Sequence, residues 1–372
     1  MAKDNTFLDI TGLYPFLKNH AQQWSRIETL CARGTQFLGS SLALLGGAMT
    51  WVSTPKLVAA ISEACGFGVL ASGAMPPEAL AQAIQDTRSY TKQPFGVNLI
   101  LLHPQLEQLL EVCQDHQVSH VVFAGGMPQK NHLKAVQGYG GKTLAFIPSL
   151  ALGKRLLKMG VDAFILEGSE AGGHIGPVST SVLAQEMLPL TKDVPVFIAG
   201  GLGHGEMIMR YLEMGFCGYQ IGTYFVTATE SPAHAAFKEA FVRAAARDAI
   251  MSPQLDKRFP VIPVRALKNR GMERFLDKQR EVIERFDQGE MTLEEGQLEI
   301  EHFWAGALRR AVCEGDIENG SLMAGQSVGL IKREASLQEL IADLLIQMTN
   351  AASHTSENDE NLMPSLMRAT SS

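Results

Sequence analysis

Eight short apolar runs, each followed by a glycine-bearing turn and an amphipathic stretch, recur between residues 41 and 222. They are SLALL (41–45), FGVLA (67–71), FGVNLI (95–100), HVVFA (120–124), TLAFI (143–147), AFILE (163–167), VPVFIA (194–199) and YQIG (219–222). Their starts lie roughly 20 to 30 residues apart, the length of one strand-turn-helix unit. Each run is apolar throughout rather than alternating, as a parallel strand covered on both faces must be. Between them, PKLVAAISEAC (55–65), PQLEQLLEVCQDH (104–116) and HGEMIMRYLEMG (204–215) carry helical spacing. The pairs Met159-Gly160 and Met214-Gly215 put glycine where a helix closes in a left-handed residue. Eight such units predict a (β/α)8 barrel of the TIM type. The rival, an open doubly wound sheet, would carry G-x-G-x-x-G after its first strand, and LLGGAMTW stands there instead.

The rhythm breaks after Phe225. Residues 228–319 read as helices around a Pro-rich interruption, SPQLDKRFPVIPVRALKN, and a charged stretch ending in EHFW. An excursion from the last barrel unit can cover the catalytic face as a helical cap or lid, or serve only as a packing appendage. The expected organisation is therefore an N-terminal arm (1–40), a barrel (41–227 with 320–350), a helical cap (228–319) and a disordered tail (351–372). Within the barrel's closing part, SLQELIADLLIQM (336–348) has the spacing of an amphipathic helix.

Composition narrows the function. Lys and Arg number 32 against 39 Asp and Glu, a formal charge of −7. With no dense basic tract, nucleic acid and anionic membrane are not expected as partners. Charged residues make up 19%, below the ~25% usual for globular proteins. The five cysteines are scattered and form no CxxC pair, which reads as reduced thiols rather than a disulfide frame or zinc site. The opening MAKDNTFLDI lacks a secretory pattern, so a cytoplasmic location is expected.

A barrel carries its chemistry at the C-terminal ends of its strands. There the sequence places Gly46-Gly47-Ala48-Met49 after the first strand and Asn98 in the third. The sixth strand runs into EGSEAGGHIGP, the seventh into AGGLGHGE and the eighth into GTYF. Gly200, Gly201, Gly222 and Thr223 follow the last two strands, where barrels commonly seat a phosphate on backbone N–H groups. Tight βα turns would need the same glycines. His174, presented by Gly172-Gly173, is the candidate proton donor or acceptor, since imidazole titrates near neutrality. No second ligand at metal spacing accompanies it apart from Glu167 and Glu170, so no metal is expected. His20, His103, His116, His120 and His132 read as surface or core residues.

These stretches resemble the flavin-dependent nitronate monooxygenases, formerly 2-nitropropane dioxygenases, and are similar to the type II enoyl-acyl-carrier-protein reductases. The resemblance is carried by FGVN (95–98), EGSEAGGHIG (167–176), PVFIAGGLGHGE (195–206), QIGTYFVTATES (220–231) and GSLMAGQSVGL (320–330). It implies an FMN-bearing barrel in which Gly47, Met49, Asn98, Glu167 and Gly173 approach the flavin. Gly200, Gly201, Gly222 and Thr223 would then hold its phosphate, and Met323, Gly325 and Gln326 would close over it. His174 matches the histidine assigned to proton transfer. One departure stands at the first strand, where the family usually has Gln-Gly-Gly-Met and this chain has Gly46-Gly47-Ala48-Met49.

The resemblance implies two activities at one site. A nitronate monooxygenase oxidises alkyl nitronates or nitroalkanes with oxygen and needs no nicotinamide. An enoyl-thioester reductase takes hydride from NADH or NADPH and acts on a substrate carried by acyl carrier protein. The monooxygenase is placed first, though VRALKN (264–269), AGALRRAV (305–312) and MAGQSVGL (323–330) lean toward the reductases. Arg265, Lys268, Arg309 and Arg310 would attract a phosphate of carrier or nucleotide, or be ordinary solvated charges. A non-catalytic flavin-binding sensor is the third reading, and the presence of His174 counts against it. A homodimer is compatible with all three.

Overall fold

A computed structural model describes residues 7–259 and 262–369, with 354–369 as backbone. Residues 1–6 of the expected arm and 370–372 of the expected tail lie outside the described residues. Eleven strands are described: β1 (Leu44–Gly46), β2 (Phe67–Ala71), β3 (Phe95–Ile100), β4 (His120–Ala124), β5 (Lys142–Ile147), β6 (Ala163–Glu167), β7 (Gly173–His174), β8 (Val196–Ala199), β9 (Gly218–Ile221), β10 (Ala249–Met251) and β11 (Val264–Leu267). Thirteen α-helices accompany them. Three precede β2: α1 (Ile10–Leu13), α2 (Ala21–Leu38) and α3 (Pro55–Glu63). The barrel units continue through α4 (Pro77–Tyr90), α5 (Leu106–Asp115), α6 (Lys130–Gln137), α7 (Leu150–Met159), α8 (Thr180–Thr191) and α9 (Gly205–Glu213). Then come α10 (Ala235–Arg243), α11 (Arg270–Asp287), α12 (Leu293–Glu314) and α13 (Leu337–Ala369).

Eight strands close into a parallel barrel in the order β1-β2-β3-β4-β5-β6-β8-β9, with β9 returning to β1. The continuously apolar runs are buried on both faces, as in Leu44, Leu45, Val97, Leu99 and Phe164 to Leu166. Gly160 caps α7 in the left-handed region (φ 97°), as its place after Met159 requires. The first run is displaced, since the strand occupies 44–46 rather than 41–45. Ser40 and Ser41 use their hydroxyls on Leu42 O and Leu8 O, and Leu42 N–H bonds Cys65 O, so pairing with β9 begins only at Leu44.

The N-terminal arm seals the bottom. Phe37, at the end of α2, accepts hydrogen bonds at its carbonyl from His120 Nε2 (2.9 Å) and Lys142 Nζ, at the starts of β4 and β5. Helix carbonyls without intrahelical partners are satisfied this way. Burial, with the Lys142 charge nearby, pushes the His120 pKa down to about 3 against the opposing pull of the Phe37 bond, leaving a neutral core histidine. With that end closed, the opposite mouth is left for chemistry.

The insertion after β9 is mostly helical but also supplies β10 and β11. These form an antiparallel sheet with β7 in the order β10-β11-β7. A second, smaller core beneath it joins Phe259, Val264, Phe275, Val282 and Trp304. Composition could not expose these strands, because β11 finds its partner β7 some 90 residues earlier. At the other end, α13 runs on to Ala369, where a disordered tail was expected. A helix nucleated on buried Leu340, Ile341, Leu344, Leu345 and Met348 extends at one hydrogen bond per residue, and a polar composition alone does not stop it. Among the described residues no helix is long and apolar enough to cross a membrane.

Candidate active site

Strand ends β6, β8, β9, β1, β2 and β3 form a contiguous arc around the C-terminal mouth. Glu167 stands opposite Ala199, Gly46 opposite Ile221, and Asn98 opposite Ala71 and Val122. The expected residues therefore share one rim.

The glycine pair after β8 adopts consecutive left-handed conformations, Gly200 at φ 89° and Gly201 at φ 73°. On one side of the pair, a Cβ on Gly201 would meet Glu170 Cβ at 2.9 Å. The Glu170 carboxylate there accepts from Thr180 N–H (2.7 Å) and Thr180 Oγ1 (3.0 Å), capping α8. A cavity of about 500 Å³ opens on that side, lined by Glu170, Thr180, Tyr211 and Gln326. A fixed carboxylate makes it a poor phosphate seat. On the neighbouring strand, β9, Gly222 and Thr223 turn into a short 3-10 segment. Thr223 Oγ1 accepts Gly325 N–H at 2.9 Å, which leaves its own proton to donate.

Three polar side chains at the mouth have unspent hydrogen-bonding capacity. Gln220, beside the Gly47 backbone, is 9% exposed and its amide has no partner among the described residues. Asn98, 5% exposed, donates from Nδ2 to Val122 O (3.1 Å) and has no donor on Oδ1 among the described residues. Glu167 likewise has no described partner, and burial pushes its carboxyl up to about 8. Polar groups left this way cost free energy unless a ligand or water satisfies them. They suit a polar, ring-bearing cofactor such as FMN, with Gly47 and Gly173 offering backbone without side chains. Met49 lies across from Gly222, its Sδ 3.7 Å from where a Cβ would stand.

The C-terminal segment packs onto the β6 loop. Gln326 N–H donates to Glu170 O (2.9 Å), and a Cβ on Gly172 would stand 2.6 Å from Gly325 N. Met323 Sδ lies 3.7 Å from the Cβ position of Gly173. His174 is solvent-exposed on β7, in register with Val264 of the insertion.

Two features were not legible beforehand. Gln220 stood inside a quoted motif, but only burial in a closed barrel marks it as a ligand candidate. Arg265 is no phosphate attractor: it is 9% exposed, with Nε bonded to Ser169 O (2.8 Å) and Nη1 to Ala249 O (2.6 Å). Arg309 instead reaches the mouth, its guanidinium 5.9 Å from the Trp51 ring centroid.

A closed parallel barrel with a glycine-lined mouth at the strand C-termini defines the class as TIM-barrel proteins with a ligand site at that end. The chain belongs to the nitronate monooxygenase family, whose model matches residues 34–113 and 105–347. It is 28% identical to the (3aS,4S,5R,7aS)-5-hydroxy-7a-methyl-1-oxo-octahydro-1H-indene-4-carboxyl-CoA dehydrogenase of Mycobacterium tuberculosis, over 84% of this chain and 94% of that protein. The enzyme of the same name from Rhodococcus jostii is 30% identical over 62% of this chain and 65% of its own length. Among solved structures, FabK from Thermotoga maritima superposes with a TM-score of 0.76 at 34% identity, covering 89% of this chain and 98% of FabK. Nitroalkane oxidase from Streptomyces ansochromogenes gives a TM-score of 0.71 at 25% identity, over 86% and 99%. The chain is thus an enzyme, an oxidoreductase of the FMN type.

Proposed function

We propose that this enzyme is an FMN-dependent, NAD(P)H-dependent reductase of the enoyl-thioester class, with His174 supplying the proton. What carries the reading is similarity across nearly the whole chain: FabK at 34% and a CoA dehydrogenase at 28% stand above nitroalkane oxidase at 25%. When bound, FMN supplies the hydride relay between nicotinamide and substrate. Gly200, Gly201, Gly222 and Thr223 would hold its phosphate through backbone N–H groups and the Thr223 hydroxyl. Gln220, Asn98 and Glu167, from β9, β3 and β6, would offer it hydrogen-bond partners, while Met323, Gly325 and Gln326 would help exclude water. In the net reaction NAD(P)H and one proton are consumed, two hydrogens add across the carbon–carbon double bond, and NAD(P)⁺ leaves. His174 would deliver the proton to the substrate's α-carbon.

A nitronate-oxidising activity is the second reading, favoured by the family model itself. Anaerobic mixing of the yellow protein with NADH, NADPH, an alkyl nitronate or nothing separates the two. Bleaching of the flavin absorbance by a nicotinamide, followed by recovery on adding an enoyl thioester, is the expected result. Bleaching by nitronate alone would reverse the order.

A further inference from the structure

We infer that Arg265 is a positioning residue for His174, so that the insertion rather than the barrel sets the geometry of the proton donor; this rests on the proposed role of His174. The loop bearing His174 leaves the barrel at Glu167 and is closed at its base by Ser169 N–H donating to Val178 O (2.8 Å). From there β11 of the insertion runs along it, while the closing segment holds Glu170 O through Gln326 N–H (2.9 Å). The Arg265 guanidinium fastens the start of the loop through Ser169 O, while Ile175 N–H donates to Pro263 O (2.9 Å) at its far side. Between these points Gly173 faces Arg265 and His174 faces Val264 in antiparallel register.

The same strand reaches the closing segment. Ala266 bridges Met323, and Leu267 N–H donates to Leu322 O at 2.9 Å. Arg265 anchors the arrangement because its other bond, to Ala249 O, ties β10 to the same guanidinium. A planar fork can bond two carbonyls in fixed directions, which a lysine ammonium cannot reproduce. Both bonds go to backbone carbonyls, and the side chain is buried, which makes Arg265 a structural fastener rather than a surface cation. Gly200 and Gly201 follow β8, Gly222 and Thr223 follow β9, and none of the four is bonded to Arg265, Thr223 being tied instead to Gly325. Loss of Arg265 therefore separates proton delivery from flavin binding.

The test compares parent, Arg265→Ala, Arg265→Lys and His174→Ala as FMN-loaded enzymes. Flavin content, FMN affinity, anaerobic reduction by NAD(P)H and reoxidation by oxygen and by enoyl thioester are followed separately. Arg265→Ala should keep FMN and nicotinamide reduction near parent values. It should slow the step that His174→Ala slows by about 10- to 100-fold, the scale of a roughly 1 Å misplacement of a reacting group. Arg265→Lys should fall between, and added guanidinium ion should restore part of the rate to Arg265→Ala. Amide hydrogen exchange across 169–175 should quicken while 200–201 and 222–223 stay protected, a readout independent of any substrate. A parent rate for the His174-dependent step in Arg265→Ala would overturn the inference, as would equal losses in every step and in FMN affinity for both Arg265 variants. If His174→Ala slows no step at all, the proposed proton role itself fails, and this inference with it.

Discussion

Gly325 N–H donates to Thr223 Oγ1 at 2.9 Å across a sequence separation of 102 residues, so the segment closing the mouth is fastened to the turn that follows the last barrel strand. Thr223→Val removes the acceptor and leaves Gly325 N–H without it, at a cost of about 1–3 kcal/mol for an unsatisfied buried group. The expected outcome is weaker FMN retention and a lower melting temperature, both largely restored in Thr223→Ser. Fluorescence titration of released flavin and thermal melts check it.

For His174 the expected behaviour is selective. His174→Ala should bind FMN normally and lose about 10²–10⁴-fold in the step that needs a general acid or base. Flavin reduction by NAD(P)H should survive while enoyl-thioester turnover collapses, measured by stopped-flow absorbance. Should the nitronate activity dominate, turnover of neutral nitroalkane should fall far more than that of the preformed nitronate.

Gly201→Leu should abolish the yellow colour, for a reason different from simple blockage of a phosphate. The residue sits at φ 73° and its new Cβ would meet Glu170 at 2.9 Å. Strain of about 1–3 kcal/mol and displacement of Glu170 from its cap on Thr180 should both follow. Flavin content of the purified variant, beside a melt, reports the two effects.

Glu167 gives a pH prediction for the flavin-free protein. Its folded pKa is raised from 4.5 to about 8 by burial, so between those values the folded state binds more protons than the unfolded one. Stability should therefore fall as pH rises from about 5 through 8. Glu167→Gln, which cannot ionise, should flatten that decline and gain most above pH 8. Melting temperature against pH for the two proteins is the measurement, and parallel curves would sink the assignment.

Thiol labelling should single out one cysteine. Cys313 is exposed, whereas Cys31, Cys65, Cys113 and Cys217 are buried. Burial pushes Cys31, Cys113 and Cys217 up to about 12, where little reactive thiolate exists at neutral pH. Brief alkylation of native enzyme followed by peptide mapping should find the label on Cys313, with no loss of FMN.

Much of the rim was legible in the residues themselves. Local physics suffices for it: a strand buried on both faces must be apolar, and a left-handed turn such as Gly200-Gly201 calls for glycine. Gly222 and Thr223 could then be placed at a mouth because they follow a strand, and Asn98 and Glu167 because they lie toward the C-terminal ends of theirs. His174 stood out in the same way, through its glycine setting at the end of the sixth run.

Arg265 and Gln220 show where that legibility stops. In sequence Arg265 is one cation among several and fits a phosphate as well as solvent. Its burial against Ser169 O and Ala249 O exists only once β11 has paired with β7. Gln220 becomes an unpartnered amide only when the barrel closes around it. The chain by itself determined the eight-strand barrel and its glycine-lined end, because periodicity and turn chemistry act between near neighbours. Only the tertiary structure decided that an inserted strand holds the histidine loop, because long-range pairing joins segments whose local preferences carry no mark of each other.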